Sequence, residues 1–342
     1  MIRYRADGLR TYAGALLAAA GFGETHAANT ADVLVWANAR GAESHGVLRI
    51  PRYVEMIETG LINPTADPVI AKREGAVSVL EADRAPGASA MIAAMDEAVS
   101  TASRLGIGCC AARNIAHPGA VGYYTLRAVD QGSIGIVMTA SGPLMAYHGS
   151  SRAGVSTNPI AIGVPGPGDP VLLDMSTSTV ALGKIMAARD AGTAIPENWG
   201  LDASGRPTTD PAAVKTLTPL GGPKGSGLSL MIEILSSVLV GNPVIATALA
   251  GGEAGMNGLA LAIKVEAFGD AATFRDQVGR LAGSIRALPP AAGTKTVLTP
   301  GERGFAVAAE RERTGIPLAS GTIERLAALG ARLGVAPPAP LE

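Results

Sequence analysis

The first sixty residues have the hydrophobic spacing of amphipathic helices. Apolar side chains over residues 9–17 fall on one face of a helix that begins near Asp7. Two further helices are predicted, one over about 29–38 and one after Pro51. Residues 62–76 are punctuated by prolines, and this pattern predicts a loop that crosses into a second region. The chain therefore begins with a helical part.

From about residue 77 short apolar runs alternate with longer helical patterns. They predict strands over 77–82, 107–112, 134–139, 160–164, 171–174 and 259–265, and helices over 88–105, 120–131, 179–191, 225–240 and 272–288. The tail from residue 302 is again predicted to be helical. We expect three parts: an N-terminal helical part (1–72), an α/β domain (73–305) and a C-terminal helical part (306–342) that packs on the N-terminal helices.

The composition indicates a globular protein and excludes several classes. The 342 residues are 47% hydrophobic and 17% charged, which excludes a disordered chain. With 28 basic and 29 acidic residues the chain lacks the basic excess of a nucleic-acid-binding protein, so no nucleic-acid partner is expected. The most apolar stretch, Leu228–Val240, contains Glu233 and is too short to span a bilayer, so no membrane partner is expected.

The cysteine and histidine content bears on metals and on the redox environment. Cys109 and Cys110 are adjacent, which is neither a disulfide framework nor the spacing of a zinc site. A total of four histidines argues against a histidine-rich metal centre, and no metal is expected. These features favour a reducing, cytoplasmic location.

Two glycine-rich segments raise the question of nucleotide binding. Residues 106–111 match the dinucleotide fingerprint as a string, but a helix precedes them and a strand follows, which is the inverse of the order that the fingerprint needs. Residues 221–227 stand directly before a predicted helix and include Lys224. Glycines at a helix start permit close backbone approach, and the free N–H groups with a lysine favour an anion. The chain thus has a candidate anion site and no standard Rossmann motif.

Two histidines have surroundings that suit acid–base chemistry. His45 lies between two predicted helices with Arg49 four residues later, and an arginine is the natural bidentate partner of a carboxylate. His117 follows the predicted strand 107–112, where catalytic side chains concentrate. Both also have ordinary explanations as loop residues, so it is their order along the chain that matters.

Taken together, these motifs resemble the malate/L-lactate dehydrogenase type 2 family, which includes ureidoglycolate, sulfolactate, diketogulonate and cyclic-imine carboxylate enzymes. The matching segments run through nearly the whole chain: Ser44–Val47 with Arg49 and Tyr53, His117–Tyr124, Thr157–Ile160, Asp174–Ser178, Gly222–Leu228 and Pro300–Glu302. The resemblance implies an α/β fold in which a non-Rossmann, mainly antiparallel mixed sheet binds the nicotinamide cofactor, flanked by a helical domain built from both termini. It further implies a homodimer.

The resemblance also implies an activity and a set of site residues. The activity is hydride transfer between NAD or NADP and a small 2-hydroxy acid, whose carboxylate is the group the site must hold. His45 and His117 match catalytic positions, and the choice between them as the acid/base stays open. The implied substrate-binding residues are Ser44, Arg49, Tyr53, Ser141, Thr157 and Asn158. The implied cofactor-binding residues are Asp174, Met175, Ser176, Pro223, Lys224, Gly301 and Glu302.

Several positions depart from the family pattern, and two alternatives follow. Thr139–Gly142, Tyr147–Ser150, Ser156 and Ser226 replace residues that are commoner in the family, and they bear on which substrate is used. One alternative is a reductase of a cyclic imine carboxylate such as piperideine- or pyrroline-2-carboxylate. The other is a homologue that binds the cofactor without catalysis, although the retention of His45, Arg49, His117 and Lys224 argues against it.

Overall fold

A seven-stranded sheet forms the centre of the computed structural model, which describes residues 2–190 and 192–341. The helices are α1 (Ala6–Ala19), α2 (Glu24–Ala39), α3 (Ile50–Glu58), α4 (Gly87–Leu105), α5 (Gly122–Asp130), α6 (Leu182–Asp190), α7 (Pro223–Ser236), α8 (Ile245–Leu249), α9 (Ala271–Arg286), α10 (Glu302–Thr314) and α11 (Ser320–Leu333). The strands are β1 (Ile2–Tyr4), β2 (Val69–Glu74), β3 (Val77–Glu81), β4 (Ile107–Arg113), β5 (Ser133–Ala140), β6 (Met145–Ala146), β7 (Ala153–Val155), β8 (Ile160–Val164), β9 (Val171–Met175), β10 (Gly200–Leu201), β11 (Thr216–Leu217), β12 (Asn257–Lys264) and β13 (Ile316–Leu318).

The strands of the large sheet lie in the order β2-β3-β4-β12-β5-β8-β9. Only β3 and β4 pair in parallel, and the other five neighbouring pairs are antiparallel. The predicted mainly antiparallel mixed sheet is therefore confirmed. Two smaller sheets accompany it, one with four strands (β10-β11-β6-β7) and one that pairs β1 with β13.

The two termini build one helical unit beside the large sheet. β1 pairs antiparallel with β13, so that Ile2 lies opposite Leu318. A shared hydrophobic core joins residues 4–62 to residues 316–329, and the Tyr12 hydroxyl donates a hydrogen bond to the carbonyl of Leu326 at 2.8 Å. The predicted helical region from both termini is thus observed, and Ala116, in the loop after β4, joins its core to the large sheet.

Small side chains let α4 pack closely on the large sheet. Ala90, Ala94, Ala98 and Ala102 are spaced four residues apart and are fully buried on one face of the helix. Opposite them, a Cβ placed on Gly108 of β4 would lie 2.0 Å from the carbonyl oxygen of Ala98. The close approach of helix and strand therefore requires glycine at position 108.

Several elements differ from the sequence-based prediction. Residues 69–74, expected to be part of a loop, form β2 and pair antiparallel with β3, because Gly75, with φ 55°, and Ala76 make a two-residue turn between the two strands. The helix expected over 179–191 begins at Leu182, and its expected end at Ala191 lies outside the described residues. The tail is interrupted by β13, whose three residues are too few to give a recognisable pattern.

Helix α7 has an inverted distribution of polar and apolar side chains. Ser226, Ser229 and Glu233 are buried against the sheet side, whereas Met231 and Ile234 are exposed. The side chain of Glu233 accepts hydrogen bonds from the backbone N–H groups of Val244 and Ile245 at 2.8 and 2.9 Å, which fixes the segment after α7. The apolar pattern of this helix predicted its existence and not its orientation.

Across residues 2–190 and 192–341, the helices are too short or too polar for any of them to cross a membrane.

The close packing of β4 on α4 gives a prediction about stability. We expect Gly108→Ala to lower the free energy of unfolding by about 1–3 kcal/mol, because the added methyl meets backbone atoms that cannot move aside. Gly283→Ala is the control: Gly283 lies in α9, and the nearest neighbour of the added methyl would be the flexible end of Arg286 at 3.9 Å, so alanine should be neutral or stabilise by up to about 1 kcal/mol. Equal urea midpoints for the two variants would contradict this packing.

Candidate active site at one edge of the large sheet

Five strand ends meet at one edge of the large sheet. β12 is antiparallel to both β4 and β5, so β4 and β5 run in the same direction and their C-terminal ends lie together. β9 runs the same way, because it reaches β5 through the intervening antiparallel β8. The N-terminal ends of β8 and β12 therefore lie at this edge as well. The predicted site residues next to these strand ends therefore lie along the same edge of the sheet.

The loop after β4 carries His117 and is held on both sides. Asn114 adopts a positive φ of 56°, and its backbone N–H donates to the Oδ1 atom of Asn257 at the start of β12 at 2.9 Å. A Cβ on Gly87, at the start of α4, would lie 2.7 Å from the carbonyl oxygen of His117. The beginning of α4 therefore packs directly against the backbone of His117.

His45 reaches the same place from the helical unit. It ends a short 3-10 helix, Glu43–His45, which connects α2 to the segment before α3. The Oδ1 atom of Asn38, at the end of α2, accepts the backbone N–H of Val47 at 2.8 Å and fixes this connection. The rings of His45 and His117 are stacked, with centroids 5.9 Å apart and planes 20° from parallel.

Three neighbours complete the cluster around the two rings. The Tyr53 hydroxyl lies 2.8 Å from Nδ1 of His117, and the Ser44 hydroxyl lies 3.0 Å from Nδ1 of His45. Arg49 donates from Nε to the carbonyl of Ser44 at 2.7 Å. The structure therefore brings together these five residues, all predicted from the sequence: two as catalytic and three as substrate-binding.

Burial and charge keep this cluster in one protonation state near neutral pH. Burial, with Arg49 adding to it, lowers the pKa of His45 to about 4, and the same causes together with His45 lower the pKa of His117 well below its usual value. Burial raises the pKa of the Tyr53 hydroxyl, against the opposing charge of Arg49. Both imidazoles are accordingly neutral and the phenol is protonated at pH 7.

Asp174, at the end of β9, lies against the start of α5. Its Oδ2 atom accepts the backbone N–H of Gly122 at 3.0 Å, and a Cβ on Gly122 would come within 2.7 Å of that oxygen. Burial raises the pKa of the Asp174 carboxyl, while the Gly122 hydrogen bond and the charge of Arg40 act in the opposite direction. Part of the side chain is nevertheless open to solvent, as expected for a group in a cleft.

Arg40 is a site residue that the sequence reasoning missed. Its guanidinium carbon lies 3.8 Å from the ring centroid of Phe305 and 4.9 Å from that of Trp36, and it donates to the carbonyl of Gly301 at 3.3 Å. Burial lowers the pKa of Arg40, although the charge of Asp174 opposes this effect. An arginine at the end of a helix gives no signal in the sequence, because its aromatic partner Phe305 is distant along the chain.

The predicted residues near the start of α10 join the same region. The backbone N–H of Leu172 in β9 donates to the carbonyl of Pro300 at 3.0 Å, which places Gly301 beside the strand that ends in Asp174. Gly301 has φ 94° and leaves no room for a Cβ next to Leu172. Glu302 accepts the N–H of Thr299 at 2.8 Å and pairs with Arg286 at 2.6 Å, so both of its oxygens are used within the protein.

The start of α7 lies against the segment after β9, which contains the predicted Ser176, while the predicted Met175 is the last residue of β9. The N–H of Leu220 donates to the carbonyl of Thr177 at 2.9 Å, and the glycines at 221 and 222 both have positive φ. Pro223 and Lys224 then open the helix and are exposed. Lys224 therefore lies near the end of β9. The free N–H groups expected at this helix start are not observed, because Pro223 has no N–H and the N–H groups of the next three residues donate to the carbonyls of Gly221, Leu220 and Gly222.

Three predicted substrate-binding residues lie at the ends of β5 and β8, where they contact protein groups. The Ser141 hydroxyl is 2.6 Å from that of Ser156, and the Ser141 N–H donates to Oδ1 of Asn158 at 3.2 Å. Asn158 is fully buried and also donates to the carbonyl of Ser229 at 3.0 Å. It therefore stands behind the surface of the cleft, whereas Ser141 and Thr157 are half-buried.

The cluster around His45 and His117 lies next to the region around Asp174. Helix α6 and the loop that starts at His117 connect the two. Only four residues separate His117 from Gly122, which contacts Asp174. A Cβ on Gly183 of α6 would lie 2.4 Å from Cβ of Ser44, so the helix that follows residues 174–178 packs on the His45 turn. Among the described residues no cluster of three or more His, Cys, Asp or Glu side chains could hold a metal ion.

The chain is similar to known dehydrogenases over its whole length. Residues 4–327 match the model of the family described as malate/L-lactate dehydrogenase. Ureidoglycolate dehydrogenase (NAD(+)) of Escherichia coli O157:H7 is 37% identical over 84% of each chain. The crystal structure of malate dehydrogenase from Entamoeba histolytica superposes with a TM-score of 0.92, at 28% identity and over 98% of each chain.

A reductase belongs to the same set of similar structures. The delta1-piperideine-2-carboxylate reductase of Pseudomonas syringae pvar. tomato superposes with a TM-score of 0.85, at 26% identity, over 96% of this chain and all of the reductase chain. The family match, the fold and the ordered motifs agree, so this chain belongs to the malate/L-lactate dehydrogenase family and is an NAD(P)-dependent dehydrogenase.

Proposed function

We propose that this protein interconverts a small 2-hydroxy acid and its 2-oxo acid at the cluster formed by Ser44, His45, Arg49, Tyr53 and His117. The observation that carries the proposal is an arginine held beside two neutral, stacked histidines. A 2-hydroxy acid offers a carboxylate for the arginine and, on the adjacent carbon, a hydroxyl for an imidazole. The names of the similar enzymes support this class, because ureidoglycolate and malate are 2-hydroxy acids.

Arg49 is arranged to bind the substrate carboxylate. Its Nε is fixed by the carbonyl of Ser44, while its two terminal nitrogens have no hydrogen-bond partner among residues 2–190 and 192–341. A guanidinium held by one nitrogen presents the other two as a fork that matches a carboxylate. Ser44, which packs against α6, thereby sets the direction of the fork.

The two imidazoles then face the substrate oxygen. Each ring has its Nδ1 occupied by a protein hydroxyl, so the Nε2 atoms are left for the ligand. A neutral imidazole with a lone pair on Nε2 can accept the hydroxyl proton during oxidation, and the imidazolium so formed can return it during reduction. Such proton transfer contributes about 10²–10⁴-fold to a rate. The residues of the helical unit and those of the sheet edge therefore act on one substrate carbon.

Asp174, Gly301 and the start of α7 would hold the nicotinamide dinucleotide. Gly122 and Gly301 allow the segments around β9 to pack closely, since a Cβ on Gly122 would meet Asp174 and a Cβ on Gly301 would meet Leu172. The charge of Lys224 suits the pyrophosphate, and the open part of Asp174 suits ribose hydroxyls. When bound, the cofactor supplies or accepts the hydride.

The outer face of α7 supports a homodimer. Leu230, Met231 and Ile234 are 37%, 51% and 38% exposed, and the neighbouring Val238 and Leu239 extend the same apolar surface. An exposed apolar row of this length is unfavourable on a monomer in water. A second copy of the chain, presenting the same row across a two-fold axis, would cover it.

A second candidate is the reduction of a cyclic imine carboxylate. It rests on the structural similarity to delta1-piperideine-2-carboxylate reductase. Arg49 would hold the carboxylate in the same way, and the proton would go to the imine nitrogen instead of an oxygen.

An oxidation assay distinguishes the two candidates. Purified protein is incubated with NADH or NADPH and with pyruvate, oxaloacetate, sulfopyruvate, oxalurate, or the two cyclic imine carboxylates, and the loss of reduced cofactor is followed by absorbance. We expect turnover of at least one open-chain 2-oxo acid. Turnover of the cyclic imines alone would support the second candidate function instead of the first. Cofactor binding with no turnover on any of these compounds would contradict both.

Replacement of Arg49 tests the carboxylate site. We expect Arg49→Ala to lower kcat/KM by about 10²–10³-fold, mainly through KM, because removing one partner of a desolvated charge pair costs about 2–5 kcal/mol. The loss of its charge should also raise the pKa of His45, so that the acid limb of the kcat/KM profile for hydroxy-acid oxidation moves to higher pH.

The matched control is Arg52→Ala, three residues further along in α3, whose arginine is exposed and pairs with Glu55. It should leave the kinetic parameters unchanged. Unaltered KM and kcat in the Arg49 variant would reject its assigned role.

The dimer is tested by light scattering after size exclusion. We expect the mass of two chains for the native protein and of one chain for Met231→Lys with Ile234→Lys, since lysines on that row introduce unpaired charge into the interface. Leu281→Lys on α9, which is 66% exposed, should remain dimeric. A monomeric native protein at micromolar concentration would contradict the assignment.

A further inference from the structure

The two histidines of the site have unequal partners behind their rings. Nδ1 of His45 has one neighbour, the Ser44 hydroxyl at 3.0 Å, which can donate or accept a hydrogen bond. Nδ1 of His117 has two neighbours, the Tyr53 hydroxyl at 2.8 Å and the backbone N–H of Gly119 at 3.1 Å. A backbone N–H is a donor only. This difference distinguishes two rings that look equivalent in the sequence.

The Gly119 N–H determines the tautomer of His117. An Nδ1 that accepts this bond carries a lone pair and no proton, so the neutral ring has its proton on Nε2. The Tyr53 hydroxyl must then donate to the same lone pair. Protonating Nδ1 would set an N–H against the N–H of Gly119 and would remove that hydrogen bond, even if the Tyr53 hydroxyl turned to accept the new proton.

The Gly119 amide is itself held in place. Gly119 has φ 76°, a conformation that favours glycine, and a Cβ there would lie 2.9 Å from a side-chain carbon of Val33 in α2. The backbone of His117 is fixed by the start of α4. The N–H group therefore cannot turn away from the imidazole without moving the loop between β4 and α5.

We propose that the two histidines divide the work: His45 exchanges the proton, and His117 stays neutral and donates a hydrogen bond from Nε2 to the same substrate oxygen. Tyr53 and the Gly119 amide are the positioning groups that hold His117 in this form. The proposal rests on the hydroxy-acid function given above, and it assigns the roles that the sequence leaves open. It also changes the expected role of Tyr53 from a substrate contact to a support for His117.

The chemistry balances with these roles. In the oxidation direction the substrate C2–H bond breaks and its electron pair leaves as hydride to the bound NAD or NADP. The hydroxyl O–H bond breaks, its proton goes to Nε2 of His45, and the oxygen forms the new carbonyl bond. His45 is then an imidazolium whose Nδ1–H points to the Ser44 hydroxyl, which can accept it. His117 keeps its proton and its hydrogen bond throughout.

The charged groups around the rings support this division. Arg49 lowers the pKa of both imidazoles, and His45 adds to the effect on His117. A carboxylate on Arg49 would neutralise that charge and let His45 take up a proton when substrate is present. His117 gains less from this change, because its Nδ1 has two donors pointing at it.

A matched pair of glutamine variants tests the roles. A glutamine side chain can place an N–H donor where Nε2 of a histidine stands, but it cannot exchange a proton. We expect His45→Gln to lower kcat by about 10²–10⁴-fold, the contribution of a general acid/base. We expect His117→Ala to lower kcat by about 10²–10³-fold and His117→Gln to recover most of that loss, because the donor is restored.

Cofactor binding, measured by the fluorescence of bound NADH, shows that each variant is folded. If His117→Gln is as inactive as His117→Ala while His45→Gln retains activity, the roles are reversed and the proposal is overturned.

The protonation state provides a readout that does not depend on activity. Nitrogen NMR of ¹⁵N-histidine-labelled native protein, assigned with the two glutamine variants, should show a lone-pair Nδ1 and a protonated Nε2 for His117, unchanged between about pH 5 and 8. In Tyr53→Phe the same tautomer should persist, since the Gly119 donor remains. A protonated Nδ1 in His117 would overturn the proposal, even if the oxidation assay confirmed the hydroxy-acid function. If that assay found no substrate, the NMR result would still stand as a test of the tautomer alone.

Discussion

The pairing of β12 between β4 and β5 is the constraint on which the site depends. Because β12 is antiparallel to both neighbours, it forces the ends of β4 and β5 to the same edge of the sheet. The first residue of β12, Asn257, also bonds to the backbone of Asn114, where the chain turns out of β4 towards His117. Parallel strands usually deliver catalytic loops to one edge in α/β enzymes. Here an antiparallel sheet achieves the same convergence through a single central strand.

The helical unit adds the residues that the sheet cannot supply. Its core is formed mainly by residues from both ends of the chain, and Ala116 and Val33 connect it to the sheet and α4. Its surface then presents His45, Arg49 and Tyr53 to the loop that carries His117. The site lies between the helical unit and the sheet edge. Its imidazoles are largely surrounded by protein, which lowers their pKa values, and they retain some accessible surface.

Much of this arrangement could be predicted from the sequence, because the motifs stand at strand ends and helix starts. The inverted order around residues 106–111 correctly argued against a Rossmann fingerprint: Gly106 directly follows the end of α4, and 107–111 are part of β4. The helix predicted after the 221–227 glycines is present, with Lys224 in its first turn. The sequence could not show which distant residues contact each other. Arg40 interacts with Phe305, more than 250 residues away, and the apolar residues that revealed α7 face outwards. In both cases the deciding contact lies between segments that are distant along the chain.

We infer that the cofactor and the substrate meet where the sheet edge and the helical unit come together. A crystal structure with NADH and an unreactive 2-oxo acid analogue such as oxamate tests this arrangement directly. We expect the carboxylate on the terminal nitrogens of Arg49, the carbonyl oxygen at both Nε2 atoms of His45 and His117, and the reacting carbons about 3–3.5 Å apart. A cofactor bound away from Asp174 and Gly301, or a carboxylate held by other residues, would contradict it.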